Sequence, residues 1–461
     1  MSGYFVEPFV DSGLGNSAYL IGSHDTRKGV VIDPLRDVDQ YVAAAHQHGI
    51  QLTHVLDTHL HADFISGNRE LAAQTGARIG ASAQAGLAFE HQPLSEDDHL
   101  DLGAFQLRVL ATPGHTPEHL TFLILEEGGK RPTAMFSGGA LIVGGAARTD
   151  LITPELSEPL AHQLYHTFRE KLLKLPDEVT VYPTHGAGSF CVAPVSSDRT
   201  STIGREKITN PLMQTRTEKE FVRLALTNLP SYPAYYKFMR AVNQKGAEIL
   251  GGLPVLTPLL AEEVQALSDA GAVLLDVRHN REYGAGHIPG SYGIRHDAPL
   301  TTWAGWLIPF GSRLVLIANS SDERQSAIRQ LIRIGYDNLA GYLEGGIETW
   351  NAAGYPIDTV PSIEVNDLHD RLVELTVIDV RQLSEWQAAH IPGAIHFEAG
   401  RIPGDDPPFT NDKPVAILCS SGNRSMAAIS VLRRKGYRNL IQVEGGFNKW
   451  RKNGYESVAG S

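Results

Sequence analysis

Short apolar runs rich in β-branched residues alternate with stretches of helical period along roughly the first 185 residues. Ala18–Ile21, Val30–Ile32, Leu52–Asp57, Phe105–Leu110, Leu120–Leu125 and Val179–Tyr182 read as strands, and Val38–His48, Ile65–Thr75 and Pro154–Leu175 as helices. Strands in this number, flanked by helices, suit a two-sheet sandwich with helices outside it. From 186 to about 250 the pattern turns helical. Thr217 with Glu220 three positions later is a capping-box signature, and Pro230 closes that helix. Gly251-Gly252-Leu253-Pro254 then reads as a linker.

The last two hundred residues contain an internal repeat. Asp276-Val277-Arg278 matches Asp379-Val380-Arg381, Glu282-Tyr283 matches Glu385-Trp386, and His287-Ile288-Pro289-Gly290 matches His390-Ile391-Pro392-Gly393. Glu344-Gly345-Gly346 and Trp350 recur as Glu444-Gly445-Gly446 and Trp450. A repeat of this density means two tandem copies of one unit, and each alternates apolar runs with helical stretches as a small α/β domain does.

Composition narrows the class. At about 150 residues per domain, 461 residues suggest three domains. A net charge of −12 argues against a nucleic-acid or anionic-membrane surface, both of which want a basic patch. No apolar run approaches the roughly 18 residues that span a bilayer, and the N-terminus carries neither a basic nor an apolar signal region. Two cysteines, Cys191 and Cys419, make no disulfide framework. The expectation is a cytoplasmic protein.

Two clusters carry candidate chemistry. His59-Leu60-His61-Ala62-Asp63 follows the strand-like run 52–57, while His115 and His185 each end another such run in a Gly/Pro turn. Imidazoles at strand ends can converge on one cation; they suit zinc or iron, and an added carboxylate favours non-haem iron(II). The second cluster is the thiol loop, where the strand-like run Val415–Leu418 leads into Cys419-Ser420-Ser421-Gly422-Asn423-Arg424 and then a helix ending near Gly436. A cysteine at a strand-to-helix turn meets backbone N–H groups and a helix N-terminus, both favouring thiolate. Gly422 lets the loop curl, and Arg424 can hold an anionic donor. The first copy has Asn319-Ser320-Ser321-Asp322-Glu323-Arg324 at this place, without sulfur, and reads as a scaffold or docking module.

Asp-Val-Arg, Glu-aromatic, His-Ile-Pro-Gly and the Cys-x-x-Gly-x-Arg loop resemble the rhodanese sulfurtransferases, whose loop of this length implies a Cys419 persulfide handling thiosulfate or persulfide sulfur. The motif 59–63 with His115 and His185 resembles the metallo-β-lactamase fold. Gly186-Ala187-Gly188-Ser189-Phe190-Cys191 and Ala147-Arg148-Thr149-Asp150 resemble its persulfide dioxygenase branch, which oxidises a low-molecular-weight, glutathione-type persulfide to sulfite with O₂ at mononuclear iron. The resemblance covers the whole chain and implies an αββα domain over 1–250, an inactive rhodanese over 253–357 and an active one over 361–458. It also implies that Arg148 holds a substrate carboxylate. Cys191 reads either as a thiol near the metal or as a buried filler; Ser420, Ser421, Gly422 and Asn423 form the substrate-binding loop. Tyr232, Tyr235, Tyr236 and Met239 read as a core stripe.

Two positions depart from the pattern. Phe64 stands where the sixth motif residue is a histidine, which argues against a second metal. The branch takes its iron carboxylate from an Asp after the fifth strand, and here the run is Phe136-Ser137-Gly138-Gly139-Ala140-Leu141. Three readings of the first domain remain open: iron(II) on His59 and His115 with His61, Asp63 or water completing the shell; a zinc-bound or metal-free domain serving a sulfurtransferase or sulfur relay; and a thioesterase, which Phe64 and Gly139 oppose. Dimers are common in such folds, so a homodimer is also carried as an expectation.

Overall fold

The strand-like runs of the first 185 residues become two sheets in the computed structural model, which describes residues 3–126, 131–192, 196–227, 229–410 and 413–460. The first sheet runs in sequence order, β1 (Phe5–Asp11), β2 (Asn16–Ser23), β3 (Lys28–Ile32), β4 (Gln51–Leu56), β5 (Arg78–Ser82) and β6 (Gln92–Leu94). Pairing is antiparallel through β3 and parallel from there on. The second sheet contains β7 (His99–Asp101), β8 (Phe105–Ala111), β9 (Leu120–Glu126), β10 (Pro132–Gly138), β11 (Thr180–Pro183) and β12 (Ser201–Thr202), with only β10 and β11 parallel.

Alternation along these strands decides the layers. Tyr19, Ile21, Val30 and Ile32 from one sheet meet Leu107, Val109, Phe122, Ile124 and Phe136 from the other in a shared core. The opposite face of the first sheet packs on helices α1 (Asp39–His48) and α2 (Asn68–Thr75) through Leu20, Val31, Val55, Tyr41 and Leu71. The opposite face of the second packs Leu123, Met135 and Val181 on Leu164 of α3 (Pro154–His166) and on Phe168. The result is the expected αββα sandwich.

Several element ends differ from the pattern for local reasons. The run 154–175 stays helical, but α3 passes at Thr167 into a π turn and then a 3₁₀ turn ending at Lys174. The run 65–75 is helical only from Asn68, because Ser66 Oγ and Asn68 Nδ2 both donate to Asp57. After α4 (Ile203–Thr209) and α5 (Pro211–Gln214), α6 spans only Glu218–Ala225, so it ends before Pro230. Thr217 Oγ1 does accept from Glu220 N, but the Glu220 carboxylate reaches Arg216 N, closing a box one residue wider than expected. Helix α7 (Tyr236–Lys245) begins after Tyr232 and Tyr235.

Beyond residue 253 two parallel five-stranded sheets follow. The first has β13 (Pro258–Leu259), β14 (Val273–Asp276), β15 (Tyr292–Gly293), β16 (Leu314–Ile317) and β17 (Leu339–Leu343) in the order β13-β17-β16-β14-β15. The second, β18 (Ser362–Glu364), β19 (Thr376–Asp379), β20 (Ile395–His396), β21 (Val415–Leu418) and β22 (Leu440–Glu444), repeats that order as β18-β22-β21-β19-β20. Each copy has its own core around Trp350 or Trp450. The repeated motifs close the copies: His287 exchanges two backbone hydrogen bonds with Asp358, and His390 does the same with Val458. The chain divides into two compact units, Met1–Leu253 with Ile332–Ile334, and Pro254–Leu331 with Gly335–Ser461. No helix among the described residues is long and apolar enough to cross a membrane.

Candidate metal centre and thiol loop

The loops after β4, β8 and β11 gather His59, His61, Asp63, His115 and His185 at one end of the sandwich, all buried. Asp33, at the end of β3, fastens this rim. Its carboxylate accepts from Thr58 N (2.7 Å), Thr58 Oγ1 (2.7 Å) and Thr184 Oγ1, and so joins loops of both sheets. Asp33 sits at φ 52, a left-handed conformation that aspartate tolerates better than most side chains.

Each of three imidazoles has its Nδ1 committed to the protein. Thr58 Oγ1 gives its own proton to Asp33 and accepts from His59 Nδ1 (2.8 Å). His115 Nδ1 donates to the Arg148 carbonyl (2.6 Å), and His185 Nδ1 donates to Asn16 Oδ1 (2.9 Å). The lone pairs are therefore on Nε2, and those of His59 and His185 stand 3.3 Å apart. Burial holds the His59 pKa well below its ordinary value, with the neighbouring imidazoles adding to the effect, and pushes His115 down to about 3. Both rings are neutral, the form that ligates. Burial also works against a charged His61, yet Asp33, 3.2 Å from its Nε2, lifts its pKa above the ordinary value.

Three overlapping groups have ligand atoms within 4.8 Å of one another: His59 with His115 and His185; Asp33 with His59 and His61; His61 with Asp63 and His185. Buried His61 Nδ1 and Nε2, His115 Nε2 and Asp63 Oδ1 make no hydrogen bond. Leaving a buried polar atom unpaired costs about 1–3 kcal/mol, and of these four His61 Nε2 has a charged neighbour in reach, Asp33 at 3.2 Å. A divalent cation at His115 Nε2 would offset that atom's cost, and neutral imidazoles suit iron or zinc. Phe64, fully buried, stacks on His61 with ring centroids 4.1 Å apart, where a further ligand was missing from the sequence pattern.

In the second parallel sheet the thiol loop leaves β21 as expected. Gly422 at φ +102 curls the chain so that its N–H donates to Cys419 Sγ (3.1 Å), and the helix Asn423–Arg434 starts immediately after it. Cys419 is fully buried. The Arg424 guanidinium is gripped by both oxygens of Glu385 (2.5 and 2.7 Å) and touches Ser420 Oγ, which itself donates to Glu385 Oε1 (2.8 Å). Arginine raised as an anion holder is thus engaged by a carboxylate from the same copy. A cavity of about 280 Å³ lies on the other flank of the loop, lined by Ser421, Gly422 and Asn423 together with His279, Asn280, Arg281 and Arg295 of the first copy. Asn280 Nδ2 donates to the Gly422 carbonyl and Arg295 to Asn423 Oδ1.

Comparison with known proteins agrees with both geometries. The model of the metallo-beta-lactamase superfamily matches residues 11–185, and that of the rhodanese-like domain matches 260–353 and 364–453. Human mitochondrial persulfide dioxygenase ETHE1 is 32% identical over 219 residues, covering 46% of this chain and 77% of the relative. The chain belongs to the metallo-beta-lactamase superfamily. Its metallo-beta-lactamase domain is fused to two rhodanese-like domains, the first lacking the cysteine. A hydroxyacylglutathione hydrolase of Polaromonas sp. is also 32% identical, over 49% of this chain and 81% of the relative. The crystal structure of a metallo-beta-lactamase from Staphylococcus aureus subsp. aureus COL superposes with a TM-score of 0.67 at 31% identity, covering 74% of this chain and 99% of that one.

Within the metallo-beta-lactamase domain Arg148 and Cys191 are both buried. Arg148 is buried and donates to Asp150 Oδ1 and Oδ2 (2.6 and 2.7 Å), Phe190 O and Pro230 O, with Tyr232 stacked 4.7 Å away. A substrate carboxylate would have to displace Asp150, and the visible service of Arg148 is its carbonyl on His115. Cys191 is fully buried, and burial raises its thiol pKa well above the ordinary range, so it stays protonated. Tyr235, Tyr236 and Met239 are buried, as a core stripe should be, yet Tyr235 also donates to the Asp63 carbonyl (2.6 Å).

Sequence reasoning missed the residues that hold the loop. Asn243 Nδ2 donates to His61 O and Phe64 O, and Glu118 accepts from Leu60 N (3.1 Å) while pairing with Arg240. Asn16 bridges Asp63 and His185. Their partners lie tens to hundreds of positions away, and no local pattern marks them.

Proposed function

We propose that the chain oxidises a glutathione-type persulfide to sulfite at iron(II) in its first domain and moves sulfur through a Cys419 persulfide in its last. The observation that carries the first half is the set of buried imidazoles whose Nδ1 atoms are bound and whose Nε2 atoms converge; the relatedness to a persulfide dioxygenase supports it. The overall change balances as RSSH + O₂ + H₂O → RSH + SO₃²⁻ + 2H⁺. Residues of this chain that would hold the metal come from His59, His61, Asp63, His115 and His185. Iron(II) bound there supplies the one-electron chemistry that O₂ requires. The protein's own part is to orient the rings through Thr58, Arg148 O and Asn16.

For the second half, Cys419 thiolate attacks the outer sulfur of thiosulfate, giving Cys–S–S⁻ and sulfite, and a thiolate RS⁻ then removes that sulfur as RSS⁻. The Gly422 N–H, 3.1 Å from Sγ, stabilises negative charge on the sulfur in both steps. Gly139 favours one competing reading, a sulfurtransferase whose metal domain no longer oxidises persulfide.

O₂ uptake by iron-reconstituted protein given glutathione persulfide, with His59→Ala as the blank, separates the two. Uptake that disappears in the blank supports oxidation; equal rates in both remove it. Mass spectrometry after thiosulfate treatment should find one added sulfur on Cys419, and an unmodified Cys419 would sink the transfer half.

A further inference from the structure

We infer that the metal of the first domain is held by three imidazole nitrogens, those of His59, His115 and His185, with no protein carboxylate, and that Gly139 is a built part of this site. The inference rests on the reading that the domain binds a metal. It differs from the two-histidine, one-carboxylate pattern of the related dioxygenase branch at both points.

Each of the other two groups has one member already engaged, Asp33 in one and His185 Nδ1 in the other, although His61 and Asp63 Oδ1 make no hydrogen bond. Asp33 accepts three hydrogen bonds, two of them on one oxygen, and ties three strand ends together. In the group of His61, Asp63 and His185, the free lone pair of His185 lies on Nε2, because Asn16 holds Nδ1; that Nε2 faces His59 Nε2 at 3.3 Å. Only the group of His59, His115 and His185 has all its members fixed from behind by a bond at Nδ1.

Gly139 decides the carboxylate question. A Cβ at this position would stand 2.5 Å from His115 Cδ2, 2.9 Å from His115 Cγ and 3.0 Å from Ala147 Cβ, so the His115 ring lies directly on the glycine. The ring cannot swing away without breaking its 2.6 Å bond to the Arg148 carbonyl. The glycine is held as well: its N–H donates to His119 Nε2 (2.9 Å) and its carbonyl accepts from Ala147 N (2.9 Å). A carboxylate at 139 and His115 in its present place exclude each other. Nitrogen donors of this kind select a borderline first-row divalent ion, iron, cobalt or zinc, over magnesium or calcium.

The test is cobalt(II) binding to the full-length protein, read by visible absorption and by competition against a chromophoric chelator, with thermal unfolding of each variant as the folding control. His185→Ala should weaken cobalt binding by at least about 100-fold, beyond what loss of a mere supporting partner costs. Asp63→Asn should cost less than His185→Ala, within the roughly 10–100-fold of a supporting partner. Gly139→Asp should weaken binding and alter the cobalt spectrum. Gly139→Ala, which carries the same Cβ without a charge, should weaken it too, and remains informative if the aspartate variant fails to fold. Tighter binding by Gly139→Asp, or full affinity in His185→Ala, would overturn the ligand set while leaving the metal-domain reading intact. A wild-type protein that binds none of cobalt, iron or zinc would remove both.

Discussion

Glu385 accepts both ends of the Arg424 guanidinium, and the pair sets how the thiol loop stands around Cys419. Burial alone would raise the Glu385 pKa, but the Arg424 hydrogen bonds and charge, with Ser420, bring it down to about 2. A carboxyl held below its ordinary value contributes fully above its unfolded pKa of about 4.5 and loses that contribution as pH falls toward 2. The loop is therefore set across any ordinary assay range. Glu385→Gln should slow sulfur transfer to cyanide by about tenfold, the scale of one charge-assisted hydrogen bond. Arg424→Lys should slow it similarly, because an ammonium cannot make the paired contact. Steady-state rates of both variants check this, and wild-type rates would show the pair to be ornamental. The arginine was legible from the Cys-x-x-Gly-x-Arg spacing. Its partner was not, although Glu385 was visible as a repeated position, because 39 residues separate the two and only the fold brings them together. The same holds for Gly139: the missing side chain could be read from the chain, but not the ring that occupies its place.

At the scale of elements, each rhodanese-like copy is closed by the same hook. Asp276 chelates Arg278, whose far nitrogen donates to Gly286 O; Asp379 and Arg381 repeat this with Ala389 O. Just past the hook, His287 stacks on Tyr283 with centroids 4.0 Å apart and donates to its carbonyl. Burial drives the His287 pKa down to about 4, although Tyr283 O and Asp358 pull the other way and Arg433 and Arg278 stand nearby. A histidine kept neutral stabilises fully above its unfolded pKa near 6.5 and progressively less as pH falls toward 4, by up to roughly 3 kcal/mol. Urea midpoints should therefore fall from pH 7 to pH 5, and His287→Asn should lower the midpoint at pH 7 while flattening the slope. An unchanged slope would place the acid sensitivity elsewhere. The hooks were readable because both copies carry them in sequence. Strands were readable where apolar runs were unbroken, as in β3, β4 and β9, but β1 is interrupted by Pro8 and β5 by Gly80, so tertiary pairing rather than pattern makes them strands. The two-residue strands β15 and β20 are too short to leave a period.

For the molecule as a whole, the imidazoles lie in one compact unit and the thiol in the other, so the two proposed activities should fail separately. His59→Ala should abolish O₂ uptake and leave thiosulfate labelling of Cys419 intact; Cys419→Ser should do the reverse. The silent copy makes the sharper case. Its Asn319 amide donates to Glu282 (2.7 Å), the counterpart of Glu385, and Arg324 stacks instead on Tyr342 at 4.0 Å. Position 322 is Asp, not Gly, and the helix already begins at Ser321, whereas in the active copy left-handed Gly422 delays the helix to Asn423. The N–H that reaches the sulfur at Gly422 is, in the first copy, part of a helix. Restoring the cysteine alone should therefore not restore the chemistry. Thiosulfate labelling of the Asn319→Cys, Cys419→Ser double variant should leave residue 319 without added sulfur, and labelling at the rate of Cys419 would mean that the sulfur atom, and not the curl of the loop around it, distinguishes the two copies.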